Sequence, residues 1–335
     1  MSWNKLEGID FKREYRSYID ALHAILTAAG RFAGTKSMLS GMTGMAFKFI
    51  IHEYLSESSM TAYGYWGKEH GEAAERLGWA NVSPAGYIRH PTFPLAQKQA
   101  ERSIKLSIDR GLGVVFWLPE FAVIHGYDDE DEVYFYRDGW SQDEQVMLYD
   151  NFGVAGNGTP FWFYQLLLDK WDRPEADIYR ESLRAAVSEW ETPHKTAPDQ
   201  AFASGRLAYD YLIQALESRR YSASGGTYIL KSYAGIKRDI VAYLEAIQAE
   251  LGLTEAVLQA YREVDAVYRH ICRFIRADEG TAALDQASFP ALLKSVREAK
   301  ELEEKAVHEL KACIGCEDRL PGELDIALWG IASPR

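Results

Sequence analysis

Residues 111–140 read GLGVVFWLPEFAVIHGYDDEDEVYFYRDGW, and their reading decides the fold. Residues 113–117 and 121–125 are short apolar runs rich in β-branched and aromatic side chains. They are too short for ordinary helices and predict two strands. The polar segment 127–131 predicts a turn, and residues 132–136 resume as a third strand.

On the N-terminal side of this stretch, residues 94–110 predict an amphipathic helix that ends at Gly111. On the C-terminal side, residues 145–149 and 161–168 predict further strands, joined by turn chemistry at 150–153 and 156–158. Nearer the start, Phe11, Tyr15, Tyr18, Ile19, Leu22, Ile25 and Leu26 recur at helical spacing over residues 10–29, with Gly30 placed as the stop. A second helix is predicted over residues 44–55, entered through a tight loop at LSGMTGM, residues 39–45. That loop lacks the Lys-Ser/Thr ending of a phosphate-binding loop, which argues against a nucleotide. Residues 58–90 carry five glycines among aromatics and predict short elements joined by loops.

After WDRP, residues 171–174, the pattern turns helical and stays so to about residue 312. Helices are predicted behind Pro198, over 236–251, behind Thr254 as an N-cap, and over 289–312. Loops are expected at Pro193, 224–226 and 278–280. The chain therefore reads as an α+β domain with an antiparallel sheet over residues 1–175, followed by a helical bundle over 176–335.

The balance of 37 basic against 49 acidic residues gives a net charge of −12, which argues against nucleic acid and against an anionic membrane surface as partners. No apolar run approaches the roughly 20 residues of a membrane span, and the first residues lack a signal-peptide pattern. Three cysteines, an odd count, argue against a secreted disulfide framework, so a cytoplasmic location is expected. Cys313 and Cys316 have the spacing of half a metal site, but no second pair completes it, and neither a metal nor another cofactor is expected. The acidic residues 128–131 lack the glycine and final glutamate of a calcium loop and read as a solvated hairpin turn.

A helix near the start, followed by antiparallel strands carrying Gly126-Tyr127-Asp128, resembles the papain-like cysteine peptidase fold in its bacteriocin-processing form. It resembles more closely the N-terminal domain of the butirosin biosynthesis protein H-like family of bacterial acyl-transfer enzymes. That resemblance implies a nucleophile position at Ser17, a base position at Glu120, an orienting carboxylate at Asp138 and a helix-end glycine at Gly30. The family has cysteine and histidine where Ser17 and Glu120 stand. Such chemistry needs a thiolate held by an imidazole, and a carboxylate is a weak base for a serine hydroxyl. No cysteine precedes residue 272, so a conventional cysteine peptidase in this half is excluded.

Strand alternation turns His125 away from the face of Glu120 unless a bulge intervenes. Ser17 is either the nucleophile, a polar residue within a long helix, or the cap of a shorter one. Glu120 is either a cleft carboxylate, a ligand for a cationic substrate, or an exposed charge at a strand start. The expected function is binding of a small-molecule or acyl-carrier-linked ligand in a remnant cleft, with Trp117, His125 and Tyr127 as candidate ligand contacts. The alternatives are an active acyltransferase or amidase built on Ser17 with Glu120, Asp138 and a histidine among His23, His52 and His125, or an assembly protein whose helices form a homodimer.

Overall fold

The computed structural model describes residues 2–141, 143–154, 156–194, 200–278 and 281–315. The chain begins with β1 (Trp3–Lys5), α1 (Ser17–Ala28), α2 (Lys36–Met42), β2 (Ile50–His52) and α3 (Trp66–Arg76). It continues through β3 (Trp79–Val82), β4 (Ala85–Tyr87), α4 (Phe93–Asp109), β5 (Val114–Trp117) and β6 (Phe121–Asp128). Strands β7 (Val133–Arg137), β8 (Gln145–Leu148) and β9 (Phe161–Lys170) follow, then α5 (Glu175–Glu191) and β10 (Phe202–Ser204). The remainder is α6 (Gly205–Ser218), α7 (Ala223–Leu251), α8 (Glu255–Ile271), β11 (Ile275–Asp278), β12 (Thr281–Leu284) and α9 (Phe289–Cys313). The fold is thus mixed, an antiparallel sheet with a helical C-terminal region. Two compact units share the chain: residues 1–43 with 70–173, and residues 44–69 with those from 174 onward.

In the first unit the strand order is β3-β9-β5-β6-β7-β8, with β1 beside the far end of β6 and β4 beside β9, every pairing antiparallel. The strands predicted from apolar runs all form. Helix α4 ends where Gly111 takes a positive φ of 82°. Helix α1 packs on β5 and β6, and Gly113 makes that approach possible, because a Cβ there would lie 2.7 Å from Ile25 Cγ2. Tyr18 is fully buried beneath the sheet, stacked on His70 at 3.6 Å and donating to Gln165 at 2.9 Å.

Helix α1 is shorter than residues 10–29. Arg16 is extended at the N-cap and Ser17 is the first helical residue. The Asp20 carboxylate turns back to accept the Glu14 N–H at 2.7 Å and to pair with Lys36 at 3.0 Å, which holds residues 14–16 off the helix axis. Ser17 is therefore neither mid-helix nor a side-chain cap.

In the second unit the predicted helix over 44–55 does not form. Gly44 takes a φ of 76° and closes the preceding helix, α2, which occupies most of the predicted loop. Ile50 and Ile51 then extend as β2 and pair with β10. The predicted loop at 224–226 is instead the first turn of α7, capped by Ser222 accepting the Gly225 N–H. Gly225 lets that turn press on the backbone, since a Cβ there would meet the Leu55 oxygen at 2.0 Å. Thr254 caps α8 as predicted, accepting from the Val257 N–H. Cys313 closes α9, and Cys316 lies outside the described residues. Among the described residues no helix is long and apolar enough to cross a membrane.

The buried charges of the second unit are enclosed by aromatic rings. Lys48 meets Glu69 and, at 2.8 Å, Glu189, with its ammonium 6.0 Å from the Tyr63 ring centre. Lys237 pairs with Glu303, which also accepts from Tyr209 at 2.5 Å, and Tyr268 donates to Tyr209 at 2.9 Å.

Candidate functional site

Placing Ser17 at the first turn of α1 and Glu120 immediately before β6 brings two residues 103 positions apart into contact. The Ser17 hydroxyl donates to Glu120 Oε2 at 2.5 Å and accepts the Phe121 N–H at 3.3 Å. Arg13, on the irregular segment before the helix, places Nη2 3.3 Å from the same Glu120 oxygen. Its guanidinium lies 4.1 Å from the centre of the Trp140 ring, a charged plane resting on an aromatic face. A Cβ at Gly139 would fall 2.4 Å from Arg13 Cγ, so only a glycine leaves room for the arginine stem there.

These residues border a cavity of about 370 Å³. Its polar lining is Arg13, Glu120, Asp138 and Asn151, and its apolar lining includes Leu118, Tyr136, Trp140, Val146, Met147 and Leu148. One guanidinium faces two carboxylates. Asp138 directly follows β7, and its Oδ1 accepts the N–H groups of Trp140 and Ser141 at 2.9 and 3.0 Å. It lines the same cavity as Glu120 but makes no hydrogen bond to Ser17 or Glu120. Ser17 is buried and is not among the residues that line the cavity; Glu120 separates it from the space.

The histidines fall elsewhere. The register of β6 against β7 slips between Ile124 and Gly126, which puts a bulge at His125. Its ring contacts the Leu6 carbonyl at 3.3 Å and Glu144 Oε2 at 3.2 Å, away from the cavity. Burial pushes its imidazole below the ordinary value, and Glu144 only partly offsets that. His23 lies 3.0 Å from the Gly34 carbonyl, and His52 accepts the Tyr54 N–H. No imidazole hydrogen-bonds Ser17 among the described residues.

Two further candidates are also outside the cavity lining. Trp117 donates to Thr159 at 2.8 Å and lies against Phe161, while Tyr127 is buried and donates to Asp109 at 2.9 Å. Both hold the wall together. Arg13 is the residue that sequence reasoning passed over. Its spacing of four from Ser17 was the available signal, although the segment that carries it is not helical. Among the described residues no cluster of three or more histidine, cysteine, aspartate or glutamate side chains is arranged to hold a metal ion.

No protein-family model matches the chain, and no curated protein matches its sequence.

Proposed function

We propose that residues 1–43 and 70–173 are a papain-like domain of the butirosin biosynthesis protein H-like type that has exchanged its catalytic pair for a fixed polar one. It acts by binding a small-molecule or carrier-linked acyl ligand. The observation that carries this reading is the set Ser17–Glu120–Arg13. A helix-start residue and a strand-start residue touch, as a nucleophile and its base would, but the partner of the hydroxyl is a carboxylate already committed to a guanidinium. A proton moved from Ser17 to Glu120 would cost the Arg13 pairing, and the hydroxyl opens onto no cavity space. Ser17 then positions Glu120, and Glu120, Asp138 and Arg13 meet the ligand. The apolar walls fit the body of an acyl chain.

The 2.5 Å hydrogen bond also favours a second reading, an acyltransferase or amidase in which Glu120 accepts the Ser17 proton during attack. Short-chain acyl thioesters of N-acetylcysteamine separate the two. Binding is followed by calorimetry and thiol release by a colorimetric reagent. Saturable binding without thiol release, weakened about tenfold by Val146→Trp at the rim and by Glu120→Gln, supports the binding reading. Thiol release that disappears in Ser17→Ala replaces it with the second.

A further inference from the structure

Strand β8 ends the strand order of the first unit, and among the described residues only β7 pairs with it. Tyr149 donates its N–H to the Glu132 carbonyl at 2.8 Å. By the alternation of an antiparallel ladder, residues 145 and 147 also turn their backbone groups toward β7. Val146 and Leu148 turn theirs outward. Sheets usually blunt such an edge with charged side chains, proline or a bulge. Here the side chains are Val146 and Leu148, 57% and 51% exposed, with Trp140 exposed at the same cavity.

Charge frames this apolar edge. Asp143 precedes it, Asp150 follows it, and Asp131 and Glu132 occupy the turn beside its C-terminal end; none of the four makes an ion pair among the described residues. From residue 128 to residue 150 the sequence has nine acidic side chains and one basic one, Arg137.

We propose that the outer edge of β8 docks an extended basic segment of a partner protein, in which lysine or arginine alternates with apolar residues. The segment adds a strand to the sheet through the outward N–H and C=O groups of Val146 and Leu148. Its apolar side chains cover those two residues, and its cations reach the acids at either end. A second copy of this chain does not fit the edge. Antiparallel pairing that sets Val146 of one copy against Leu148 of another also sets Glu144 of each copy against Asp150 of the other, and like charges opposed across a ladder destabilise it. The proposal stands apart from the identity of the cavity ligand.

The test is fluorescence anisotropy of the full chain with a dye-labelled Lys-Val-Lys-Val-Lys-Val-Lys peptide, beside its Glu-Val counterpart. The basic peptide should saturate, and the acidic one should bind at least about tenfold more weakly. Val146→Pro removes an outward N–H and leaves the β7 ladder intact, so it should also weaken binding about tenfold. Asp143→Asn with Asp150→Asn, both at exposed positions, should weaken it several-fold and flatten the salt dependence. Peptide binding should slow amide exchange at Val146 and Leu148. The proposal falls if the basic peptide does not bind, if both peptides bind alike, or if exchange at those two amides is unchanged. Unchanged binding by a folded Val146→Pro variant would show attraction by charge alone and would equally overturn it.

Discussion

In the second unit Lys48 reaches Glu69 and Glu189 with all three side chains almost completely buried. In the first unit Arg13 reaches Glu120, whose side chain is 18% exposed at the wall of a cavity. Both are cations held against glutamate, but they sit in different media. The lysine cluster is roofed by an aromatic ring, so each of its charges depends on the others for solvation. The arginine lies between an aromatic ring and open space, and a ligand entering that space would meet it. Buried ions that are fully paired specify a packing arrangement; paired ions beside a cavity can also specify a ligand.

The contrast is broken most directly by removing one cation at a time. Lys48→Met should cost about 3–5 kcal/mol of stability in urea or thermal unfolding, because two buried carboxylates then lose the ammonium they share. A loss below about 1 kcal/mol would mean that water replaces the ammonium, and the two regions would no longer differ in kind.

Alkaline pH probes the same cluster without mutation. Burial pulls the Lys48 ammonium down, but Glu189 and Glu69 pull it up further, so it sits above the ordinary 10.5. Its contribution is complete below 10.5 and is lost as pH rises through the higher folded value. Burial raises the phenols of Tyr209 and Tyr268 as well, which acts in the same direction. Urea midpoints should therefore fall steeply above about pH 10.5, and a Lys48→Met variant should show a shallower fall. An identical fall in both would remove Lys48 from the explanation.

Asp20 sharpens the comparison from the first unit. Burial pushes its carboxyl up to about 6, against the pull of Lys36 and of the Glu14 N–H. A value raised above the ordinary 3.8 gives a contribution complete below 3.8 that is lost as pH climbs through about 6. The stability difference between wild type and Asp20→Asn should therefore shift in favour of the asparagine variant across that interval. A carbon-13 titration of Asp20 with a midpoint near or below 3.8 would contradict it.

The smallest effects belong to the cavity wall. Arg13→Met and Ser17→Ala should each cost only about 1 kcal/mol, since water reaches Glu120 when either partner leaves. A cost as large as that of Lys48→Met would make the cavity set structural and leave it no room for a ligand role.

The strands were legible because the runs in β5, β6 and β9 are short, apolar and rich in β-branched or aromatic residues, and are bounded by glycine, proline and acidic turns, so local preference and tertiary role agree. Residues 44–55 were not. Their apolar spacing suits a helix, but the partner that makes Ile50 and Ile51 a strand is β10, some 150 residues later, and no local pattern announces it. The Ser17–Glu120 contact was legible only through the resemblance. Nothing in composition or spacing joins those two positions, and Arg13 lies on a segment without periodicity. The bulge at His125 was weighed as an exception and is present, yet it carries the ring to Glu144, not toward Glu120.

The division of the second unit has a consequence during synthesis. Lys48 leaves the ribosome 141 residues before Glu189, its partner at 2.8 Å. At about 5–20 residues per second it waits roughly seven to thirty seconds for that carboxylate. Over the same interval β2 waits for β10, and Leu55 for the glycine turn of α7. Residues 44–69 are thus a hydrophobic segment made early and completed late. During that delay their apolar side chains stay uncovered by the partners that bury them in the finished fold.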